Sequence, residues 1–210
     1  MLYIKENYER FYGEKPEASS YGNPIDIVRK IKNVLPNGTV LDVGAGDGRH
    51  ALYLASEGFT VTAVDLSQAG LEKLQRRAAS QHLQISVEMA DLNTWSIHDT
   101  YNAIITTATL QHLKHDAAIR ILGQIKSHTR PGGINIVAAL TKSGDRYLLD
   151  REEDPEAFYP TDNWLRDFYA GWEIIEHSFI QGALIGKFRP DGTPMQNTTE
   201  RVLARKPQSS

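Results

Sequence analysis

After Pro24, apolar residues recur at helical spacing: Ile27, Val28, Ile31, Val34 and Leu35 share one face, which predicts a helix over 25–35. Pro24 suits its first turn, where a missing N–H costs nothing. Pro36-Asn37-Gly38 stops it. From there the pattern alternates between two periods. Short β-rich or apolar runs over 39–43, 59–64, 85–89, 101–106 and 134–140 read as strands. Between them lie amphipathic stretches. One covers 47–57 and closes at Gly58. A second covers 67–81 with Ser67 as its N-cap. A third covers 110–129, with Ile119, Leu122 and Ile125 on one face. Pro131-Gly132-Gly133 turns the chain into the next strand. Strand-helix alternation at this spacing predicts a parallel sheet with helices on both faces.

Beyond Leu140 the rhythm changes. Residues 150–156 form an acidic loop around Pro155, a solvated flap. A short helix is expected over 161–170, then a strand over 173–180 after Gly171, with Trp172 packed in the core. A loop carrying Gly182, Gly186, Pro190, Gly192 and Pro194 leads to a final strand over 200–204. Two strands with no helix between them read as an antiparallel pair at one sheet edge. The first 21 residues are polar and aromatic, with Tyr3, Tyr8, Phe11, Tyr12 and Tyr21; they predict one short helix, broken near Pro16, and then a loop. No repeat or linker divides the 210 residues, so one domain is expected.

Composition narrows the function classes. Apolar residues make up 40% and charged residues 23%, a globular balance. Lys and Arg number 23 against 26 Asp and Glu, a net charge of −3, which argues against a nucleic-acid partner. The absence of cysteine removes disulfides, thiolate metal sites and a cysteine nucleophile. The first fifteen residues carry charges throughout and no apolar core, so no secretory signal is read. The run 134–140 is far too short for a membrane span. A cytoplasmic, soluble protein with no membrane partner is the expectation.

The strongest chemical signal is Val40-Leu41-Asp42-Val43-Gly44-Ala45-Gly46-Asp47-Gly48, a strand entering a glycine-rich turn at a helix start. Glycines permit a tight bend and close approach to a ligand. A helix N-terminus adds unpaired N–H groups and a positive dipole end. A dinucleotide fingerprint would need a third glycine where Arg49 stands, so NAD is disfavoured though not removed. Asp65 ends the next strand, where an acid accepts hydrogen bonds from both ribose hydroxyls of a nucleoside; its other reading is an N-cap. Asp91 follows the third strand, placed to meet the amino group of adenine with Leu92 flanking the ring, or to serve only as a loop aspartate. Open α/β sheets bind ligands at such carboxyl strand ends. The seven histidines include no H-E-x-x-H; His112 and His115, three apart at a helix start, could pair on a metal, but the favoured reading puts His112 at the cofactor edge or as a helix cap and His115 in solvent, with no metal expected. G-x-S-x-G and Walker patterns are absent, so hydrolase and NTPase readings have no support.

Taken together, LDVGAGDGRHALYLASEGFTVTAVDLS, MADLN, TATLQHL and TRPGGI resemble the class I S-adenosylmethionine-dependent methyltransferases, and the strand-loop-strand ending is similar to theirs. The chain looks most like the TehB-type tellurite and selenium methyltransferases. Its length, Glu6-Asn7-Tyr8, the run DFYAGWE over 167–173 and VLARK over 202–206 carry that likeness. The resemblance implies an α/β fold: a doubly wound, seven-stranded Rossmann-like sheet, mostly parallel with the last strand antiparallel. It divides the domain into a lid-like segment (1–21), a cofactor-binding core (22–140) and an acceptor-side, sheet-completing segment (141–210).

The resemblance also implies S-adenosyl-L-methionine as cofactor and assigns its contacts. Gly44, Ala45, Gly46 and Gly48 would hold the methionine part, with Asp42 reaching its ammonium through water. Asp65 and Leu66 fall to the ribose, Asp91 and Leu92 to the adenine, and Thr107 to the cofactor as well. The family places a His-Arg pair near its acceptor; here the stretch reads Phe188-Arg189, so only the arginine is kept. Arg189 is expected at the catalytic site, attracting a small anion beside the loop Gly182–Thr198. Tyr8, Tyr12 and Tyr21 either fold over the cofactor as a lid or simply pack the N-terminus. The implied reaction is methyl transfer to a chalcogen anion such as tellurite or selenite. A small-molecule O-, N- or S-methyltransferase, an NAD(P)-dependent oxidoreductase and a non-catalytic binding module stay open, as does a homodimer.

Overall fold

Adjacent residues of a strand point to opposite faces of a sheet, and here both sets are apolar. In a computed structural model, Val40 and Leu41 of β1 (Thr39–Val43) are both buried, one in each of two cores on opposite sides of the sheet. The structure describes residues 2–13, 19–20 and 22–208; Pro16 and Tyr21 lie outside the described residues. The other strands are β2 (Thr60–Asp65), β3 (Ile85–Met89), β4 (Tyr101–Thr107), β5 (Thr129–Leu140), β6 (Glu173–Phe188) and β7 (Pro194–Arg205). They form one sheet in the order β3-β2-β1-β4-β5-β7-β6. β1 to β5 run parallel, and β7 alone opposes its neighbours, pairing antiparallel with both β5 and β6. The strand order reverses between β1 and β4, so a crevice opens at their carboxyl ends.

Eight helices flank the sheet: α1 (Leu2–Gly13), α2 (Asp26–Arg29), α3 (Ile31–Val34), α4 (Arg49–Ser56), α5 (Gln68–Ser80), α6 (His115–Ser127), α7 (Asp145–Glu153) and α8 (Trp164–Phe168), counted among the described residues. One face buries Ile27, Val28 and Ile31 with Leu54 of α4 and Leu71 and Leu74 of α5. The other buries Ala118, Ile121, Leu122 and Ile125 of α6 with Leu165 and Tyr169. Each such aliphatic side chain contributes roughly 1.5–3 kcal/mol by leaving water. No described helix is long and apolar enough to cross a membrane.

The expected element order holds, with local departures. The helix over 25–35 is two single turns separated at Lys30, whose ψ of −7° interrupts the helical ladder while the apolar stripe stays buried. The helix expected from Leu110 starts at His115. Leu110–His112 is a 3-10 turn, and Leu113 is extended so that its carbonyl accepts from Phe158 N–H (3.1 Å). β5 starts at Thr129 because Pro131-Gly132-Gly133 forms an irregularity within the strand, not a turn before it. α7 occupies part of the expected acidic loop; none of its residues is buried, so no apolar stripe marks it. The expected loop Gly182–Thr198 is largely a β-hairpin, turning at Arg189, whose N–H donates to Thr193 O (2.8 Å).

Candidate functional site

Between β1 and α4 the backbone turns through three left-handed glycines, Gly44, Gly46 and Gly48. Gly44 has φ 77° and Gly46 φ 56°. A Cβ on Gly44 would lie 2.2 Å from Thr109 Oγ1, and one on Gly46 would lie 2.4 Å from the Tyr12 hydroxyl. Gly48 does something else: its Cβ would strike Leu74 Cδ1 at 2.2 Å, so this glycine lets α5 pack against the start of α4. Gly48 is not on the wall of the crevice, contrary to the expectation that it binds cofactor.

The crevice opens to solvent and takes its walls from the carboxyl ends of β1, β2 and β4, the turn after β3 and α1. Gly44, Ala45, Gly46, Asp65, Leu66, Asp91, Leu92 and Thr107 all line it. Asp65 Oδ2 accepts from Gly46 N–H (2.7 Å) and Oδ1 from Ser67 N–H (2.9 Å). Burial raises its pKa, while those backbone donors pull it down. Each carboxylate oxygen has a second acceptor direction for a ligand hydroxyl. Asp91 Oδ1 accepts from the Asn93 backbone N–H (2.9 Å), fixing the turn after β3. Ser67 caps α5 by accepting from Gly70 N–H (3.1 Å), so the N-cap reading of Asp65 gives way to Ser67.

Asp42 lies beneath the turn, 1% exposed, and is not on the wall. Its Oδ2 is buried without a partner among the described residues. Burial, then repulsion from Asp65, pushes its pKa up to about 7, against the pull of Arg49. This group holds its proton in the fold over a range where the free carboxyl has lost it. Its contribution to stability is therefore present at low pH and is lost as pH rises towards and through about 7. Asp42→Asn should stabilise the ligand-free protein at pH 8 by about 1–3 kcal/mol, with the difference closing near pH 4. Melting curves of both proteins at the two pH values check this, and equal stability at pH 8 would contradict it.

Arg49 also lines the crevice; the sequence argument used it only against a dinucleotide. Its place in the first turn after the glycines was the available signal. His50 Nδ1 lies 3.2 Å from Thr107 Oγ1, and burial followed by the Arg49 charge pushes its pKa down to about 3. Asp47, another wall residue, is held from behind by Lys73 Nζ at 3.1 Å, both side chains being almost wholly buried.

α1 closes over this crevice, and both Tyr8 and Tyr12 line it. Their rings stack at 5.7 Å. The Tyr8 hydroxyl lies 2.8 Å from His112 Nε2, and Gln111 Nε2 lies 3.0 Å from the same nitrogen. Gln111 also donates to Ala108 O (2.8 Å), so its nitrogen is a donor and His112 Nε2 is bare and accepting. Burial, then Arg146, pushes the His112 pKa down to about 4, leaving a neutral ring on the wall. Glu9 fastens α1 to α5: its two oxygens accept from Gln68 N–H (2.8 Å) and Ala69 N–H (2.9 Å) at the helix N-terminus. No local pattern in the sequence announces that contact.

Arg189 is not brought to the crevice. Its Nε and NH2 donate to Asp145 Oδ1 (3.3 Å) and Oδ2 (2.6 Å), and NH1 donates to Thr193 Oγ1 (3.2 Å). The expectation of an arginine poised at the acceptor is thereby corrected for this residue: Asp145, in α7, holds it at the hairpin tip. His115 is exposed, as expected.

The family described as "Tellurite resistance protein TehB" matches residues 2–187. A "Probable S-adenosyl-L-methionine-dependent methyltransferase TehB" from Haemophilus influenzae is 30% identical over 181 residues, covering 86% of this chain and 61% of that protein. "Hemagglutinin 1" from Eikenella corrodens is 30% identical over 177 residues, covering 84% of this chain and 57% of its own. The chain thus spans about three fifths of these relatives' length. The crystal structure of TehB from Haemophilus influenzae superposes with a TM-score of 0.77 at 26% identity, covering 95% of this chain and 67% of that one. The N-methyltransferase NodS from Bradyrhizobium japonicum, solved with S-adenosyl-L-homocysteine, shares the fold with a TM-score of 0.69 at 15% identity; it covers 97% of this chain and 98% of that one.

Proposed function

Because the chain belongs to the TehB family of tellurite resistance proteins, we propose that it transfers the methyl group of S-adenosylmethionine to a small chalcogen anion of the tellurite or selenite kind. The residues present fit the cofactor. Gly44 and Gly46 line the crevice with bare backbone in a left-handed turn, and Asp42 keeps a buried oxygen without a partner among the described residues. Asp65 would hold the ribose, and Asp91 with Leu92 the adenine. Arg49 would meet the methionine carboxylate, and Asp42, beneath the turn, would reach the ammonium only through water. When bound, the cofactor supplies an electrophilic methyl carbon on a sulfonium. The chain's part is to hold both partners close, exclude water beneath α1, and keep the geometry in line.

One observation carries the choice of acceptor. The two histidines on the wall have pKa values pushed down to about 3 and about 4, so both are poor bases at neutral pH. A neutral alcohol or phenol would have to lose its proton to become a good nucleophile; a chalcogen anion already offers its lone pair. That lone pair forms the new bond to carbon, and the electrons of the broken carbon–sulfur bond stay on sulfur. The test is transfer of labelled methyl to a panel of selenite, tellurite, a phenol and an amine, with S-adenosylhomocysteine release measured alongside. Label on the chalcogens is expected. Label confined to the phenol or amine would move the assignment to an ordinary small-molecule methyltransferase.

A further inference from the structure

α1 covers the crevice, and its fastenings differ in their access to water. Tyr8 and Tyr12, one turn apart, face inward and line the crevice. Tyr12 is 5% exposed, yet neither ring belongs to either apolar core. Tyr12 lies instead against bare backbone. A Cβ on Gly46 would come within 2.4 Å of its hydroxyl, and one on Gly70 within 3.0 Å of its ring. Further along the chain, Ser20 is held in a dry setting. Its N–H donates to Asp47 Oδ2 (2.6 Å) and its hydroxyl accepts from Lys73 Nζ (2.9 Å), and both partner side chains are almost wholly buried.

Glu9, between the two tyrosines, makes the other kind of fastening. Its two oxygens accept from Gln68 N–H (2.8 Å) and Ala69 N–H (2.9 Å), first-turn donors that have no partner inside α5. The carboxylate also sits at the positive end of that helix. The bond to Gln68 is exposed, so water can replace Glu9 there and the clasp can open. Glu9 itself is not on the crevice wall. Its bonds run from α1 to α5 and touch nothing that the crevice would hold.

We propose that Glu9 is a positioning residue for the reaction: its clasp on α5 holds Tyr8 and Tyr12 shut over the crevice, and release of the clasp sets how fast S-adenosylmethionine enters and S-adenosylhomocysteine leaves. The inference rests on the cofactor reading above and is independent of the acceptor. Because Glu9 lies off the wall, it steadies the shut cover equally over an empty and a filled crevice. Weakening it raises the open fraction in both states by the same factor. Association and dissociation then accelerate together, and the equilibrium affinity stays where it was. A residue that held the ligand itself would change dissociation and affinity together.

The experiment measures both rate constants for S-adenosylhomocysteine on the full chain, association by stopped-flow mixing and dissociation by chasing labelled ligand with excess unlabelled ligand. The parent, Glu9→Ala, Glu9→Gln and Glu173→Ala are compared. Glu9→Ala should raise both constants roughly tenfold, the size expected for a lost helix cap, with Kd within about threefold of the parent. Glu9→Gln keeps one acceptor oxygen and should fall between, which also covers the case of an alanine variant that folds poorly. Glu173, on β6 and 60% exposed, pairs with Arg205, and its alanine variant should exchange ligand at the parent's rates. Unchanged rates in both Glu9 variants overturn the clasp. Faster dissociation with unchanged association also overturns it, since Glu9 would then hold the ligand and not the cover. A parent that binds no S-adenosylhomocysteine at all overturns the cofactor reading first, and the clasp with it.

Discussion

Gly44→Val should yield a protein that binds no S-adenosylhomocysteine and melts far below the parent. The position has φ 77°, which a β-branched residue adopts only at a cost of about 1–3 kcal/mol. Its Cβ would lie 2.2 Å from Thr109 Oγ1 and 2.3 Å from Thr109 Cγ2. Thr109 has little room to retreat: it is 8% exposed, and its one hydroxyl hydrogen is shared between Thr107 O (3.1 Å) and Val43 O (3.3 Å). Those bonds tie the end of β4 to the end of β1, so the clash is passed to the two strands that define the crevice. Strain and lost bonds together should reach about 3–5 kcal/mol, a large part of the total stability of an ordinary domain. Gly46→Ala is the informative partner. Its Cβ meets the far end of Tyr12, which can swing out with α1. That variant should fold and should bind the cofactor less tightly. Urea unfolding and calorimetric titration of both variants decide the matter; a Gly44→Val protein as stable as the parent would refute the tight turn.

Asp65→Ala should weaken S-adenosylhomocysteine binding by about 1.5–3 kcal/mol, or roughly 10- to 150-fold, the worth of hydrogen bonds to a charged group. The same change should alter the ligand-free protein little. It removes the acceptor for Gly46 and Ser67 N–H, which destabilises, but it also removes a carboxylate that burial disfavours. The two effects oppose each other in the empty protein, whereas only loss remains for the ligand. Titration calorimetry reads the first quantity and a melting curve the second. Binding within threefold of the parent would take Asp65 off the ribose.

Much of this site was legible in the sequence because its signals are local. A strand running into Gly44-Ala45-Gly46, an acid ending β2 and an acid after β3 are each read from a few adjacent residues, and the parallel order of the sheet brings them together. The residues that escaped depend on contacts far along the chain. Glu9 finds the start of α5 across 59 residues, and nothing near Glu9 foretells it. Arg189 sits in a basic, glycine-rich stretch that reads as a mobile loop; Asp145, 44 residues earlier, decides where its charge goes. Only residues 150–153 of α7 fall in the stretch that reads as an acidic flap; the helix buries nothing, and without a buried face it leaves no period to find. Leu110–Thr129 looked like one helix because the apolar residues continue through it. The break at Leu113–Lys114 comes from pairing with residues 157–158, which no periodicity encodes.

The most direct test of the account is a crystal structure of the full chain with S-adenosylhomocysteine bound. It should show the ribose hydroxyls on the Asp65 carboxylate, the adenine against Leu92 with its amino group towards Asp91, and the amino-acid end beside Arg49 and the Gly44–Gly46 backbone. The rings of Tyr8 and Tyr12 should close over it, and the sulfur should face His112. A ligand seated elsewhere, or lying in the crevice with its ribose away from Asp65, would contradict the assignment of this crevice as the cofactor site.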